Sequence, residues 1–317
     1  MTTTAIATRY HHFATHEATT SPLYTELARG IAADPTLLAL LNTLPPRCHQ
    51  PNLLFAATRH LTGTPTSFPH LRRTLLDNWH RIAPLMQRRR TQTNEPARCA
   101  PLHPLLTALP QPLTLIEVGA SAGLCLYPDR YAYDTDDHLT GDPHSPLRIT
   151  APATGPTPPP HPHLDIAARI GIDLNPLDIH DPDDTRWLHS LIWPEHHQRT
   201  QRLDAAIAIA RTDPPHLIQG DLNERLPDAI AHAPADTTLV VFHTTVLTYL
   251  SDKERDRFTD QIRPLDLHWF AQEPPAALPH ITAPEPDPSP GITHLLCHNE
   301  HPLAYTDPHT GAAHWFA

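Results

Sequence analysis

Apolar positions change rhythm along this chain. Leu23, Tyr24, Leu27 and Ile31 fall at helical spacing behind Ser21-Pro22, a cap and a proline suited to opening a helix. Asp34-Pro35 opens a second helix through Leu37, Leu38 and Leu41, which Leu44-Pro-Pro46 stops. Residues 52–61 predict a third, ended by Gly63, and residues 68–86 a fourth helical segment or a pair. No strand-like alternation precedes residue 112. The pattern predicts an N-terminal helical domain over residues 1–110.

The remainder, 111–317, reads differently. Leu113-Thr-Leu-Ile-Glu-Val118 is a short apolar run rich in strand formers, as a buried parallel strand should be. A glycine-containing turn and a helix from Ala122 are expected next. Further strands are expected at 131–133, 216–218, 238–242 and 267–270. Helices are expected from an Asp181 cap through Ile192, and at 199–210, 226–231 and 252–262. Residues 293–297 and 313–316 flank the turn Asp307-Pro-His-Thr-Gly311 and read as a closing hairpin. Strands alternating with helices imply an α/β fold: a Rossmann-like, mostly parallel sheet with a closing antiparallel hairpin. A proline-rich insertion near 150–165 interrupts it as an excursion.

Composition narrows the function classes. The chain holds 39 prolines and 26 histidines among 317 residues, which we read as GC-rich codon bias rather than a collective use of histidine. A net charge of −11 disfavours general nucleic-acid binding. No stretch approaches the roughly 20 apolar residues that span a bilayer, and residues 1–13 do not read as a signal peptide. Cys48, Cys99, Cys125 and Cys297 are far apart without CxxC spacing, so a cytoplasmic protein with free thiols is expected. His12 with His16, and His294 with Cys297 and His298, complete no metal set, and no metal is expected.

The strongest chemical signal is Glu117-Val-Gly-Ala-Ser-Ala-Gly123. Gly119 permits a sharp turn at the strand end. Gly123 lets a ligand or the next helix approach bare backbone. The bland alternative is a tight turn with no ligand. The same letters match Gly-x-Ser-x-Gly, so a serine hydrolase using Ser121 is a further reading.

An acidic residue ahead of such a turn resembles the first motif of class I S-adenosylmethionine-dependent methyltransferases, with Ser121 in place of the middle glycine. Together with Arg89-Arg-Thr-Gln-Thr-Asn-Glu95, Asp129-Arg-Tyr131, Gly171-Ile-Asp-Leu-Asn-Pro-Leu177 and Val240-Val-Phe-His243, the chain resembles an uncharacterised bacterial family grouped with that superfamily. The resemblance spans nearly the whole chain. It implies a methyltransferase-type sheet and S-adenosylmethionine as cofactor, with a small or medium polar molecule as acceptor. Glu117, Gly119, Ala120, Ser121 and Gly123 would then line the cofactor. Asp134, or alternatively Asp173, would hold its ribose, and Asp221 would meet its adenine. His243 would be the base, with Tyr249 and Glu273 as weaker candidates. Arg90, Gln92, Asn94 and Glu95 would bind substrate. A non-catalytic binder or scaffold retaining the fold is the competing class.

Overall fold

The computed structural model describes residues 2–135, 138–159, 161, 163–285 and 291–316. Its helices are α1 (Thr3–His12), α2 (Pro22–Ala32), α3 (Pro35–Asn42), α4 (Pro51–Thr62), α5 (Phe68–Arg88), α6 (Cys99–Thr107), α7 (Pro182–Leu191), α8 (His197–Thr212), α9 (Leu222–Ala231) and α10 (Asp252–Ile262). The chain divides into two compact units, one of Met1–Thr93 with His180–Gln201, the other of Asn94–Ile179 with Arg202–Ala317.

The first unit is helical. Ser21 Oγ accepts from Tyr24 N–H (3.1 Å), and Asp34 Oδ1 accepts from Thr36 and Leu37 N–H (2.9 and 3.1 Å), so the two predicted caps hold. α1 was not anticipated: its sequence is mostly polar and buries only Ile6 and Tyr10. α7 joins this unit although it lies far along the chain. It buries Trp187 and Leu188, and Arg89 ties it down by ion pairs to Asp183 and Asp184. The unit therefore differs from the expected 1–110: it stops at Thr93 and gains the separate segment 180–201.

The second unit is mixed α/β. Its strands are β1 (Leu113–Val118), β2 (Ala132–Thr135), β3 (His138–Gly141), β4 (Arg148–Thr150), β5 (Ala153–Thr154), β6 (Ile166–Asp173), β7 (His216–Gln219), β8 (Thr238–Thr244), β9 (His268–Glu273), β10 (His294–His298), β11 (His301–Thr306) and β12 (Ala313–Trp315). A mostly parallel nine-stranded sheet runs β5-β12-β11-β10-β9-β8-β1-β6-β7, and a separate three-stranded sheet runs β3-β2-β4. β1 is buried at every position, as a central parallel strand must be. Ile116, Val118, Ile170, Val241 and Trp269 pack with Leu226 of α9 and Phe258 of α10 on one face.

Three expectations change here. No α-helix opens at Ala122. Two short 3₁₀ turns, Leu124–Leu126 and Pro128–Arg130, follow instead, because Pro128 cannot continue a helical ladder. The strand expected at 131–133 belongs to the small sheet, and the neighbour of β1 is β6. The closing hairpin is a meander, with β11 between β10 and β12. Of the proline-rich insertion, residues 160 and 162 lie outside the described residues; β5, within it, pairs with β12. No helix of the described residues is long and apolar enough to cross a membrane, and all four cysteines are free and buried.

Candidate functional site

The chain runs from β1 outward to β6 and β7, then returns to β8 on the other side of β1 and continues to β9. The order reverses between β1 and β8, and in open α/β sheets ligands bind beyond the carboxyl ends at such a reversal. Glu117 is the penultimate residue of β1, Asp173 closes β6, Thr244 closes β8, and Gln272 and Glu273 close β9. The register sets Glu117 across from Phe242, Thr244 across from Gln272, and Gln272 across from Leu296. Side chains two apart share a face, so Glu117, Thr244, Gln272 and His294 come together on one face of the sheet.

The glycine turn is complete in itself. Gly119, Ser121 and Gly123 have φ of 75°, 53° and 73°. Gly119 and Ala120 N–H donate to Ile172 O (2.7 and 3.0 Å), and Gly123 N–H donates to Ala120 O (2.7 Å). Ser121 N–H donates to Asp173 Oδ2 (2.8 Å), while Ala122 and Leu124 N–H share Asn94 Oδ1 (3.2 and 3.0 Å). Every N–H from Gly119 to Leu124 is thus spent on the protein. The bare backbone of Gly119 admits Val246, whose Cγ2 would lie 2.4 Å from an added Cβ. At Gly123 the close neighbour is Pro215, at 2.8 Å from such a Cβ. No donor remains for a phosphate, which removes the dinucleotide use of such a turn.

Glu117 sits behind this turn, 2% exposed, and its Oε2 has no hydrogen-bond partner. Burial, with the Cys125 thiol beside it, pushes its carboxyl well above the usual range. Ser121 Oγ and Gln272 Oε1 are likewise buried without a partner among the described residues. Such orphans are rare in folded proteins and call for an account.

His243 is corrected as a candidate base. It is fully buried; Trp269 Nε1 donates to its Nε2 (3.0 Å), and its Nδ1 lies 2.8 Å from Glu273 Oε1. An indole only donates, so Nε2 accepts and Nδ1–H serves the carboxylate. No ring nitrogen remains for a substrate. Glu273 also accepts from Val246 and Leu247 N–H (2.6 and 3.0 Å), pinning the loop after β8. Tyr249, on that loop, is 67% exposed.

The acids separate by strand. Asp134 lies in the small sheet, paired with Leu139 and Thr150, and not on the nine-stranded sheet. Asp173 is the acid that ends the strand beside β1. Asp221 caps α9 through Asn223 N–H (2.8 Å). The polar cluster is also divided. Arg90 and Gln92 belong to the helical unit, where Arg90 O accepts from Trp187 Nε1 (3.1 Å). In the α/β unit Asn94 clamps the turn, and Glu95 pairs with Arg202 (2.8 Å).

The hydrolase reading meets two obstacles. Ser121 Oγ has no histidine partner among the described residues. Ala122 N–H, the oxyanion donor such an elbow needs, is bonded to Asn94. Sequence reasoning missed Arg98, which is buried with its Nη1 on Thr244 O and Oγ1 (2.9 and 3.1 Å) and its Nε on Pro308 O (2.9 Å). A signal existed: Arg98 is the one Lys, Arg, Asp or Glu between Glu95 and Glu117.

The chain belongs to DUF2332, a family of uncharacterised proteins conserved in bacteria, whose model matches residues 7–315. No curated protein and no solved structure matches it.

Proposed function

We propose that this DUF2332 chain binds S-adenosylmethionine at the carboxyl edge of β1, β8 and β9 and transfers a methyl group to a small or medium polar acceptor. The observation that carries the reading is the pair of buried, unpartnered acceptors Glu117 Oε2 and Gln272 Oε1 on one face of that edge. A cofactor bearing ammonium and hydroxyl groups supplies the donors they lack. A saturated turn is no obstacle to it, because this cofactor carries no phosphate. When bound, it offers an electrophilic methyl on sulfur. Asp173 and Glu117 would face its polar groups, and Asn94 would keep the turn in shape.

With His243 committed to Trp269 and Glu273, no base is assigned. Alignment of the acceptor with the methyl then supplies the acceleration, and holding two reactants in line is worth up to roughly 7–11 kcal/mol. A small nucleophile already deprotonated, or an amine, suits this arrangement.

A second reading, a binder or scaffold without catalysis, draws on the turn itself, which Val246 and Asn94 complete without any ligand. Isothermal titration with S-adenosylmethionine and S-adenosylhomocysteine separates the two. Heat that is lost in Glu117→Ala, with an unchanged circular-dichroism spectrum, supports the cofactor reading. No heat at millimolar ligand removes it and leaves the scaffold.

A further inference from the structure

Arg98 holds a charge that the α/β unit does not pair. The residue is 4% exposed, and among the described residues it forms no ion pair. Its three acceptors, Pro308 O, Thr244 O and Thr244 Oγ1, are neutral and occupy only Nε and Nη1. Nη2 keeps both of its N–H bonds. Taking a guanidinium out of water costs several kcal/mol unless an anion or full hydrogen bonding compensates. Neutral oxygens on three of five donors compensate in part.

The surroundings say what is missing. Glu117 feels the Arg98 charge but forms no ion pair with it. His294 is neutral at neutral pH, and its Nε2 lies 3.0 Å from Thr245 Oγ1. Thr244, which Arg98 grips, stands across from Gln272 and shares a sheet face with Glu117, and Gln272 Oε1 and Glu117 Oε2 are the unspent acceptors of that face. One ligand group satisfies both needs: a carboxylate with an ammonium on the adjacent carbon.

We infer that Arg98 Nη2 receives the carboxylate of an α-amino acid group, whose ammonium meets Glu117 and Gln272. The inference shares its location with the proposed cofactor site and names the part of the ligand held there, whether that part is attached to adenosine or free. An inorganic or ester phosphate offers the anion but no donor for the two acceptors, and fits less well.

The test uses the full chain and thermal-shift and calorimetric titrations with four probes: S-adenosylhomocysteine, 5′-methylthioadenosine (which lacks the amino acid part), the standard L-amino acids, and inorganic phosphate. S-adenosylhomocysteine should bind at least tenfold more tightly than 5′-methylthioadenosine, and Arg98→Met should abolish that difference while Arg98→Lys keeps part of it. Arg98 also ties Thr244 to Pro308, so the variants could unfold; the two probes on the unaltered chain then decide alone. Equal affinity for the two adenosyl compounds overturns the inference and leaves the cofactor reading standing. An amino acid that binds where neither adenosyl compound does supports Arg98 and ends the adenosyl reading. A stronger response to phosphate than to any amino acid overturns the inference, and silence from every carboxylate-bearing probe overturns both.

Discussion

Two buried histidines should make the α/β unit sensitive to mild acid. His103, 3% exposed, lies tilted against Tyr133 with ring centroids 4.6 Å apart, and His294 is 7% exposed between Thr245 and Thr293. Burial pulls both imidazoles down from 6.5 to about 4. The folded unit therefore holds them neutral, while the unfolded chain takes up a proton at each below pH 6.5. Their contribution is intact above 6.5 and drains away as pH falls toward 4. Each unit of pH costs about 1.4 kcal/mol per histidine, so each removes roughly 2 kcal/mol by pH 5. The pair would take roughly 4 kcal/mol from a domain whose total is of order 5–15. Glu117 acts the other way. Its raised pKa keeps a proton in the fold that the unfolded chain gives up above about 4.5, so its contribution grows as pH falls toward that value. Variants are needed to separate the two. Urea unfolding at pH 7 and pH 5, followed by tryptophan fluorescence, should give a lower midpoint at pH 5. His103→Gln and His294→Gln should each shrink the difference between the two pH values by roughly 2 kcal/mol. A difference as large in both variants as in the unaltered chain would refute the claim that these rings are held neutral.

The glycine turn and its neighbours make further predictions. Gly119→Ala should cost roughly 2 kcal/mol or more, through its φ of 75° and the clash with Val246, and Val246→Ala should restore part of the loss in a double-mutant denaturation series. Asn94→Ala strands two N–H groups, at about 1–3 kcal/mol each, and hydrogen exchange should accelerate at Ala122 and Leu124. Glu117→Gln keeps the shape of the side chain with no proton to lose and should flatten its share of the pH dependence of the melting midpoint, whereas Glu117→Ala should cost about 2–3 kcal/mol. A thiol reagent should find no reactive cysteine in the native protein and all four after denaturation, read by absorbance.

Local signals were legible in the sequence because they act locally. Ser21-Pro22 and Asp34-Pro35 open helices with their own side chains. Leu113–Val118 reads as a strand because its composition is that of a segment buried on both faces. The acid-tipped turn was likewise visible, together with the positive φ its glycines permit. β6 was not. It carries Arg169 among alanines and a glycine, and the buried arginine is met by Asp129 at 2.8 and 2.7 Å and by Leu126 O at 2.6 Å, both from a distant turn. Without β6, the strand beside β1 was misassigned, and Asp134 was preferred to Asp173 as the acid at the end of that strand. His243 looked like a base for the same reason: its residue type and strand end are local, while Trp269 and Glu273 reach it from the next strand.

By itself, then, the sequence determined the caps that open α2 and α3, the central strand β1 and the acid near its end, since each depends on neighbours a few residues away. Only the tertiary structure decided which polar groups are spent and which are free. Hydrogen-bond saturation depends on partners brought together from across the chain, and a lone buried arginine becomes a question only when nothing folded beside it answers its charge.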